Sequence, residues 1–331
     1  MSAGLASPEQ MVHVAYHASH EQFPPSTLVR YVCLAEQAGF TAISSSDHLQ
    51  PWSAQQGESG FSWAWLGAAM QATALPCSLV CAPGQRYHPV RIAQAAATLA
   101  ELFPGRFRLA LGSGEALNER VTGEPWPPKA ERNARLVECV EVIRALWAGE
   151  TVTHHGRVRV EAARLYTRPA VPPAILGAAV TADSALWAGG WADGLLTVGG
   201  APDTVRESID AFHEGGGAGK PVVLQVALAY ARDEADARQG AYEQWRTNVF
   251  PSEVLAELWT PEQFEAIARY VRPEDLDASV RISADPQRHL AWLHQDLDLG
   301  VSQITLHNVS REQEACIEAF GTAVLPALRT R

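Results

Sequence analysis

Residues 41–52 read T-A-I-S-S-S-D-H-L-Q-P-W. A short apolar run passes into three serines, and then Asp47, His48 and Trp52 fall within six residues. The run is bounded like a β-strand, so the acid, the imidazole and the indole follow directly on its C-terminal end. Parallel α/β barrels keep their chemistry at that end of their strands. The same stretch, taken alone, is also an ordinary Asp-His turn with Trp52 as a packing aromatic. The rest of the chain decides between the two.

Upstream, residues 13–16 make a brief strand that ends in H-A-S-H-E-Q-F at 17–23. Pro24, Pro25 and Ser26 give a loop and a helix start, and Leu28, Tyr31, Val32, Leu34 and Ala35 keep helical spacing until Gly39 closes the segment. Strand, helix and strand form a βαβ unit. Downstream the rhythm repeats, with strands expected at 76–81, 107–111, 174–176, 194–198, 222–229 and 303–306. Helices are expected at 61–73, 90–103, 131–147, 182–190, 203–214, 234–246, 286–297 and 313–328. Residues 151–166 alternate as a hairpin turning at His155-Gly156, and 248–280 form an irregular, partly helical insertion.

Eight strand candidates, each followed sooner or later by a helix, with no low-complexity linker, predict one domain over 1–331: a closed (β/α)8 TIM barrel with insertions near 151–168 and 248–280. An open dinucleotide-binding sheet is poorly supported. Gly112-Ser113-Gly114 is followed by Glu115-Ala116-Leu117, so the third glycine of the G-x-G-x-x-G fingerprint is missing.

Composition narrows the partners. Asp and Glu outnumber Lys and Arg by 37 to 26, a net charge of -11, which leaves no broad basic surface for nucleic acid. Five cysteines form an odd set with no C-x-x-C pair, as expected of reduced thiols in a cytoplasmic protein. Residues 1–10 lack the basic start and apolar core of a signal peptide, and no apolar run reaches membrane-spanning length.

Closing the barrel brings the polar clusters after the first four strands to one rim: His17, His20, Glu21, Asp47, His48, Trp52, Arg86, Tyr87, His88, Glu115 and Asn118. Imidazoles and carboxylates facing one pocket suit general acid–base chemistry, because burial and neighbouring charges move either pKa toward neutrality. Gly112-Ser113-Gly114 lets backbone amides approach a flat ligand or a phosphate. Gly177-Ala178-Ala179, opening into a helix at Thr181, is a second such place, and it reads equally as close helix–strand packing. His17, His20, Asp47 and His48 are residue types that suit zinc. Two histidine pairs on adjacent strands with no ligand from the fourth make a metal centre the poorer reading, and none is expected.

Four segments carry a family resemblance over nearly the whole chain: S-D-H-L-Q-P-W at 46–52, S-L-V-C-A-P-G-Q-R-Y-H-P at 78–89, G-S-G-E-A-L-N-E at 112–119 and G-A-A-V-T at 177–181. The chain resembles the luciferase-like flavin- and deazaflavin-dependent oxidoreductases, which are (β/α)8 barrels. Within them it looks most like the branch of dehydrogenases using coenzyme F-420, and within that branch like the sub-branch labelled non-F-420 flavinoid oxidoreductases. The resemblance implies hydride transfer between a small organic substrate and a bound cofactor, FMN or coenzyme F-420. The alternative it leaves open is a monooxygenase using reduced FMN and oxygen.

It further implies that Asp47 anchors the cofactor and that His48 is the acid–base. Trp52 would wall the pocket, Glu115 would exchange a proton, and Glu21 matches a further active-site carboxylate. Leu79, Val80, Ala82, Asn118, Gly177, Ala178, Ala179 and Val180 fall where the family holds its cofactor, and a non-prolyl cis peptide is implied at Leu79-Val80. One departure is informative. The family's sugar-phosphate dehydrogenases bind phosphate through lysines and an arginine of the later strands, whereas here the loop after the sixth strand is Val198-Gly199-Gly200-Ala201. Lys129 and Lys220 are the only lysines, and neither falls there. The insertion at 248–280, with Trp259, Phe264, Tyr270 and Arg272, is expected to lid the pocket. The tryptophan-rich helix at 61–70 offers a face for a homodimer, unless the insertion covers it.

Overall fold

The computed structural model describes residues 12–329, so the reading of residues 1–10 lies outside what is described. Eight strands form the barrel: β1 (His13–Ala18), β2 (Ala42–Ser46), β3 (Cys77–Cys81), β4 (Phe107–Leu111), β5 (Ile175–Ala178), β6 (Gly194–Val198), β7 (Val222–Ala229) and β8 (Gln303–Asn308). Each pairs in parallel with the next, and β8 returns to β1 with Gln303 opposite His13, which closes the sheet. The (β/α)8 expectation from the alternating pattern holds.

Strand alternation sorts the side chains into two cores. Leu79, Leu109, Leu111, Ile175, Leu195 and Leu224 point outward and join one large cluster with helix residues such as Leu28, Ile92 and Ile143. Their neighbours Ala110, Leu176, Leu196 and Val223, with Val80 against them, form a separate apolar plug inside the barrel. The first helix (Pro25–Ala38) shows how local sequence sets the joints. Proline occupies its first turn, and Gly39 ends it at φ 97°, where its amide reaches the carbonyls of Ala35 and Glu36.

Two stretches depart from the strand–helix alternation. Val152–His155 and Arg159–Ala163 pair antiparallel as a hairpin. Ser252–Leu255, Pro261–Ile267 and Pro273–Ala278 are short helical pieces within 248–280. A two-residue strand, Arg281–Ile282, follows them and adds to the end of β7. It is too short to leave a period in the sequence.

Two expectations need correction. All described peptide bonds are trans, Leu79–Val80 included. That pair stays in an unbroken ladder, Leu79 opposite Ser45 and Leu109 and Val80 opposite Ser46 and Ala110, which ordinary extended backbone satisfies. The tryptophan-rich helix (Ser62–Ala72) buries its indoles within its own chain: Trp63 and Trp65 are 9% and 4% exposed. Trp65 Nε1 also donates to the Pro25 carbonyl at 3.1 Å, so these rings offer no face to a second subunit. No described helix is long and apolar enough to cross a membrane, and all five cysteines are free.

Candidate active site

The C-terminal end of β2 is pinned before any polar contact forms, because the Asp47 amide continues the ladder to the Val80 carbonyl at 2.9 Å. The next residue, His48, is thereby aimed across the rim toward the loop after β1. Its Nδ1 pairs with Glu21 Oε1, and its Nε2 lies 3.4 Å from Glu115 Oε1. Glu21 is deeply buried and its second oxygen accepts from Ser19 Oγ at 2.8 Å. Glu115, contributed by the loop after β4, is the more open carboxylate of the two.

Charge follows from this geometry. Burial alone would drive His48 to neutrality, but the Glu21 carboxylate and the hydrogen bonds that the ring donates to both acids outweigh it and hold the imidazolium up to about 10. Burial would raise Glu21, yet the His48 cation beside it holds the carboxyl well below the usual carboxylate range. An imidazolium between two carboxylates carries a proton that is directed at Nε2, the nitrogen facing the open side.

Trp52 stands edge-on to His48 with ring centroids 5.2 Å apart. The loop between them is tied down by Asn118, whose Oδ1 accepts from the amides of Leu49 at 2.7 Å and Gln50 at 3.2 Å. Asp47 turns away from His48. Arg86 Nη2 donates to its carbonyl at 2.7 Å and to Oδ2 at 3.0 Å, and the Arg86 amide donates to Glu119 Oε2 at 2.8 Å. Burial nonetheless raises the carboxyls of Asp47 and Glu119 above their ordinary values against the pull of Arg86.

Among the buried polar atoms at this rim that lack a hydrogen-bond partner among the described residues are Asp47 Oδ1 and Asn118 Nδ2. One accepts and the other donates, so they match a ligand edge that carries an N–H beside a C=O. Beside them Gly114 sits at φ 82°, where an added Cβ would come within 3.0 Å of Glu119 Cγ and 3.2 Å of Ala82 Cβ. A planar ring with an imide edge, as in a flavin or deazaflavin, fits this donor–acceptor set, while the missing side chain of Gly114 lets Glu119 and Ala82 pack closely beside it.

The structure divides the expected cofactor residues. Val80 faces the barrel interior, whereas the Leu79 side chain is fully buried on the outer face under the helices and can contribute only its backbone. Gly177 is likewise outward. A Cβ there would lie 2.7 Å from Ala188 Cβ, so this glycine is needed for the approach of the helix Ala182–Gly189, the packing alternative read from the sequence. Ala178 and Ala179 are small and mostly buried, and Val180 is half exposed. His88 departs from the rim: it caps the helix Pro89–Leu102 through Nδ1, and its Nε2 reaches the hairpin at Arg159 O, 2.8 Å away.

Beneath His48 and Glu21 lies a group of buried imidazoles. His17 lies against His307 with ring centroids 4.3 Å apart and planes tilted by 43°, His307 meets Trp245 edge-on at 4.8 Å, and His20 meets Trp65 at 4.8 Å. Burial pushes His20 and His307 down to about 4 and His17 well below its ordinary value, so all three are neutral and do not compete with His48 for the proton. His307 was not anticipated. The strand expected to end at Leu306 runs on to Asn308, and the rule that singled out His48, a polar residue at a strand's C-terminal end, applies to His307 once that end is placed correctly.

Known proteins share this architecture. Residues 9–303 match the family described as luciferase-like monooxygenase. The chain is 36% identical to an F-420-dependent glucose-6-phosphate dehydrogenase of Beutenbergia cavernae, over 97% of this chain and 98% of that one. It is 35% identical to an F-420-dependent hydroxymycolic acid dehydrogenase of Mycobacterium tuberculosis, over 94% and 87%. A solved F-420-dependent secondary alcohol dehydrogenase, in complex with an F-420–acetone adduct, superposes with a TM-score of 0.90 at 30% identity and covers 96% of this chain and 99% of its own.

Proposed function

The chain belongs to the luciferase-like monooxygenase family, and from that premise we propose that it is a coenzyme F-420-dependent oxidoreductase acting on a small, uncharged secondary alcohol or the corresponding carbonyl compound. The observation that carries the reading is His48, held as an acid between Glu21 and Glu115 at the C-terminal ends of the barrel strands. When bound, the deazaflavin supplies two-electron hydride chemistry. Asp47 and Asn118 would hold its ring edge, with the backbone of Leu79 and with Val80, Ala82 and Ala178 to Val180 along the same rim. FMN fits the same donor–acceptor set and is the second cofactor to test.

His48 Nε2 donates its proton to the substrate oxygen in the carbonyl-reducing direction and takes it back in the alcohol-oxidising one. Glu21 keeps the imidazole oriented and charged, and Glu115 exchanges a proton at the open side. Trp52 walls the pocket and keeps water from the ring nitrogen. A sugar-phosphate substrate is disfavoured because these basic side chains already have partners: Arg86 is engaged by Asp47 and Glu119, Arg132 by Glu257, and Arg281 by Asp296, while Lys220 reaches the Gly189 carbonyl. The loop after β6 begins with half-exposed Val198 and two glycines.

A cytoplasmic location agrees with the free thiols, and sedimentation velocity tests for a homodimer. The functional reading is tested by titrating the protein separately with F-420 and FMN, following cofactor fluorescence. The loaded enzyme is then assayed anaerobically with short ketones and with glucose 6-phosphate. Tight F-420 binding with ketone reduction supports it. Turnover only in air with reduced FMN would make the protein a monooxygenase instead.

A further inference from the structure

The insertion at 248–280 touches the acid–base centre by a route that its position as a cover does not require. Phe264, on the helix Pro261–Ile267, is completely buried and presents its ring to Trp52 at 5.3 Å and 75°. Trp52 in turn meets His48 at 5.2 Å and 82°. Two successive edge-to-face contacts thus run from the insertion to the imidazole. Such contacts fix ring tilt as well as separation.

The same insertion is fastened on both sides of the rim. The Ala116 amide donates to the Ala256 carbonyl at 3.0 Å, one residue from Glu115. Arg132 pairs with Glu257 at 3.2 Å, and Arg120 lies 3.9 Å over the Trp259 ring. On the β2 side the Ala54 amide donates to Glu265 Oε1 at 2.9 Å, two residues from Trp52. Each flank of the His48–Glu115 contact therefore has a backbone tether to this segment.

We propose that Phe264 is a positioning residue: through Trp52 it fixes the orientation of His48 relative to Glu115, so that the insertion is part of the framework of the reaction centre. The proposal rests on the acid–base role given to His48 above. It adds a physical reason for an aromatic ring at position 264. An aliphatic side chain fills similar volume but offers no polarised ring edge to the indole face, and it leaves Trp52 free to tilt.

The test uses full-length enzyme with 15N-labelled histidine, the His48 signal being assigned by its loss in His48→Gln. In the wild type one sharp imidazole set is expected for His48. In Phe264→Leu and Phe264→Ala the His48 set broadens or splits while the signals of His154 and His155, on the hairpin, stay unchanged. With F-420 and a ketone, kcat falls by about 10²-fold, the scale of a 1 Å misplacement, while the cofactor Kd stays within about twofold. Phe264→Leu guards against a folding defect in the alanine variant. An unchanged His48 signal in both folded variants overturns the proposal, as does a loss confined to KM. The NMR readout needs no cofactor, so failure of wild-type protein to bind F-420 would strike the functional reading and leave the Phe264 test standing.

Discussion

Glu21 and His48 are 27 residues apart in the chain, and the closure of β1 against β2 brings Glu21 Oε1 onto His48 Nδ1. The carboxylate is buried, so the imidazole has no aqueous alternative to that partner. This pairing decides the protonation state from which the enzyme starts.

Replacing His48 by Gln keeps a hydrogen-bonding side chain but removes the transferable proton. Turnover should fall by about 10²- to 10⁴-fold, the usual contribution of a positioned acid or base. F-420 affinity, measured by fluorescence quenching, should stay within a few-fold.

Because His48 holds its proton up to about 10, the rate of carbonyl reduction should be flat through neutrality and decline only toward pH 10. The reverse oxidation should rise over the same range, as more of the imidazole becomes a base. Glu21→Gln removes the anion that stabilises the imidazolium, so both limbs should move to lower pH. Steady-state pH profiles in the two directions check this, and limbs that do not move would separate Glu21 from the proton.

Stability should peak near pH 6.5. His48 has a raised folded pKa, so its contribution is complete below the ordinary value of 6.5 and is lost as pH climbs toward 10. Glu21 has a depressed one and contributes above its ordinary 4.5. His20, His289 and His307 are pushed down to about 4, so the unfolded chain binds more protons than the folded one between 4 and 6.5, and stability falls with falling pH there. Tm measured from pH 4 to 10 should show a steep acid side and a shallower alkaline one. A symmetric profile would contradict the assignment of neutral buried imidazoles.

Gly177→Ala should destabilise the protein by about 1–3 kcal/mol, because the new methyl would sit 2.7 Å from Ala188 Cβ in a packed helix–strand contact. Urea denaturation of the cofactor-free protein measures it. A loss seen only as weaker F-420 binding would instead make the glycine a ligand contact.

Arg86→Met leaves Asp47 and Glu119 buried without their cation. Loss of one partner from such a cluster costs about 3–5 kcal/mol, and the carboxyls should take up protons to compensate. Thermal unfolding at pH 5 and pH 8 should show the larger loss at pH 8, where protonation is harder.

The barrel was legible because its signal is repetitive: short apolar runs, polar strand exits and glycine- or proline-marked joints recur along the chain. His48, Glu21 and Glu115 could be placed on one rim from that rhythm alone. Their pairwise contacts could not, because which nitrogen meets which carboxylate depends on loop paths. Leu79 and Gly177 show the limit of a matched motif, since adjacent positions on a strand face opposite sides and a segment can align while half its side chains look away. His307 was lost to a strand end misplaced by two residues. Arg86 was seen as a rim residue, but its partner Glu119 lies on a four-residue helix, Ala116–Glu119, too short to show a period.

The seam between His13 and Gln303 has a consequence for biosynthesis. β1 must wait for β8 before the cylinder is complete, so a growing chain exposes an unmatched backbone edge until about residue 308 has left the ribosome. Pairings of such long sequence separation form slowly. The nascent protein is therefore most prone to self-association while β8 is still unmade, and a chaperone that shields the open edge of β1 during that interval would raise its yield.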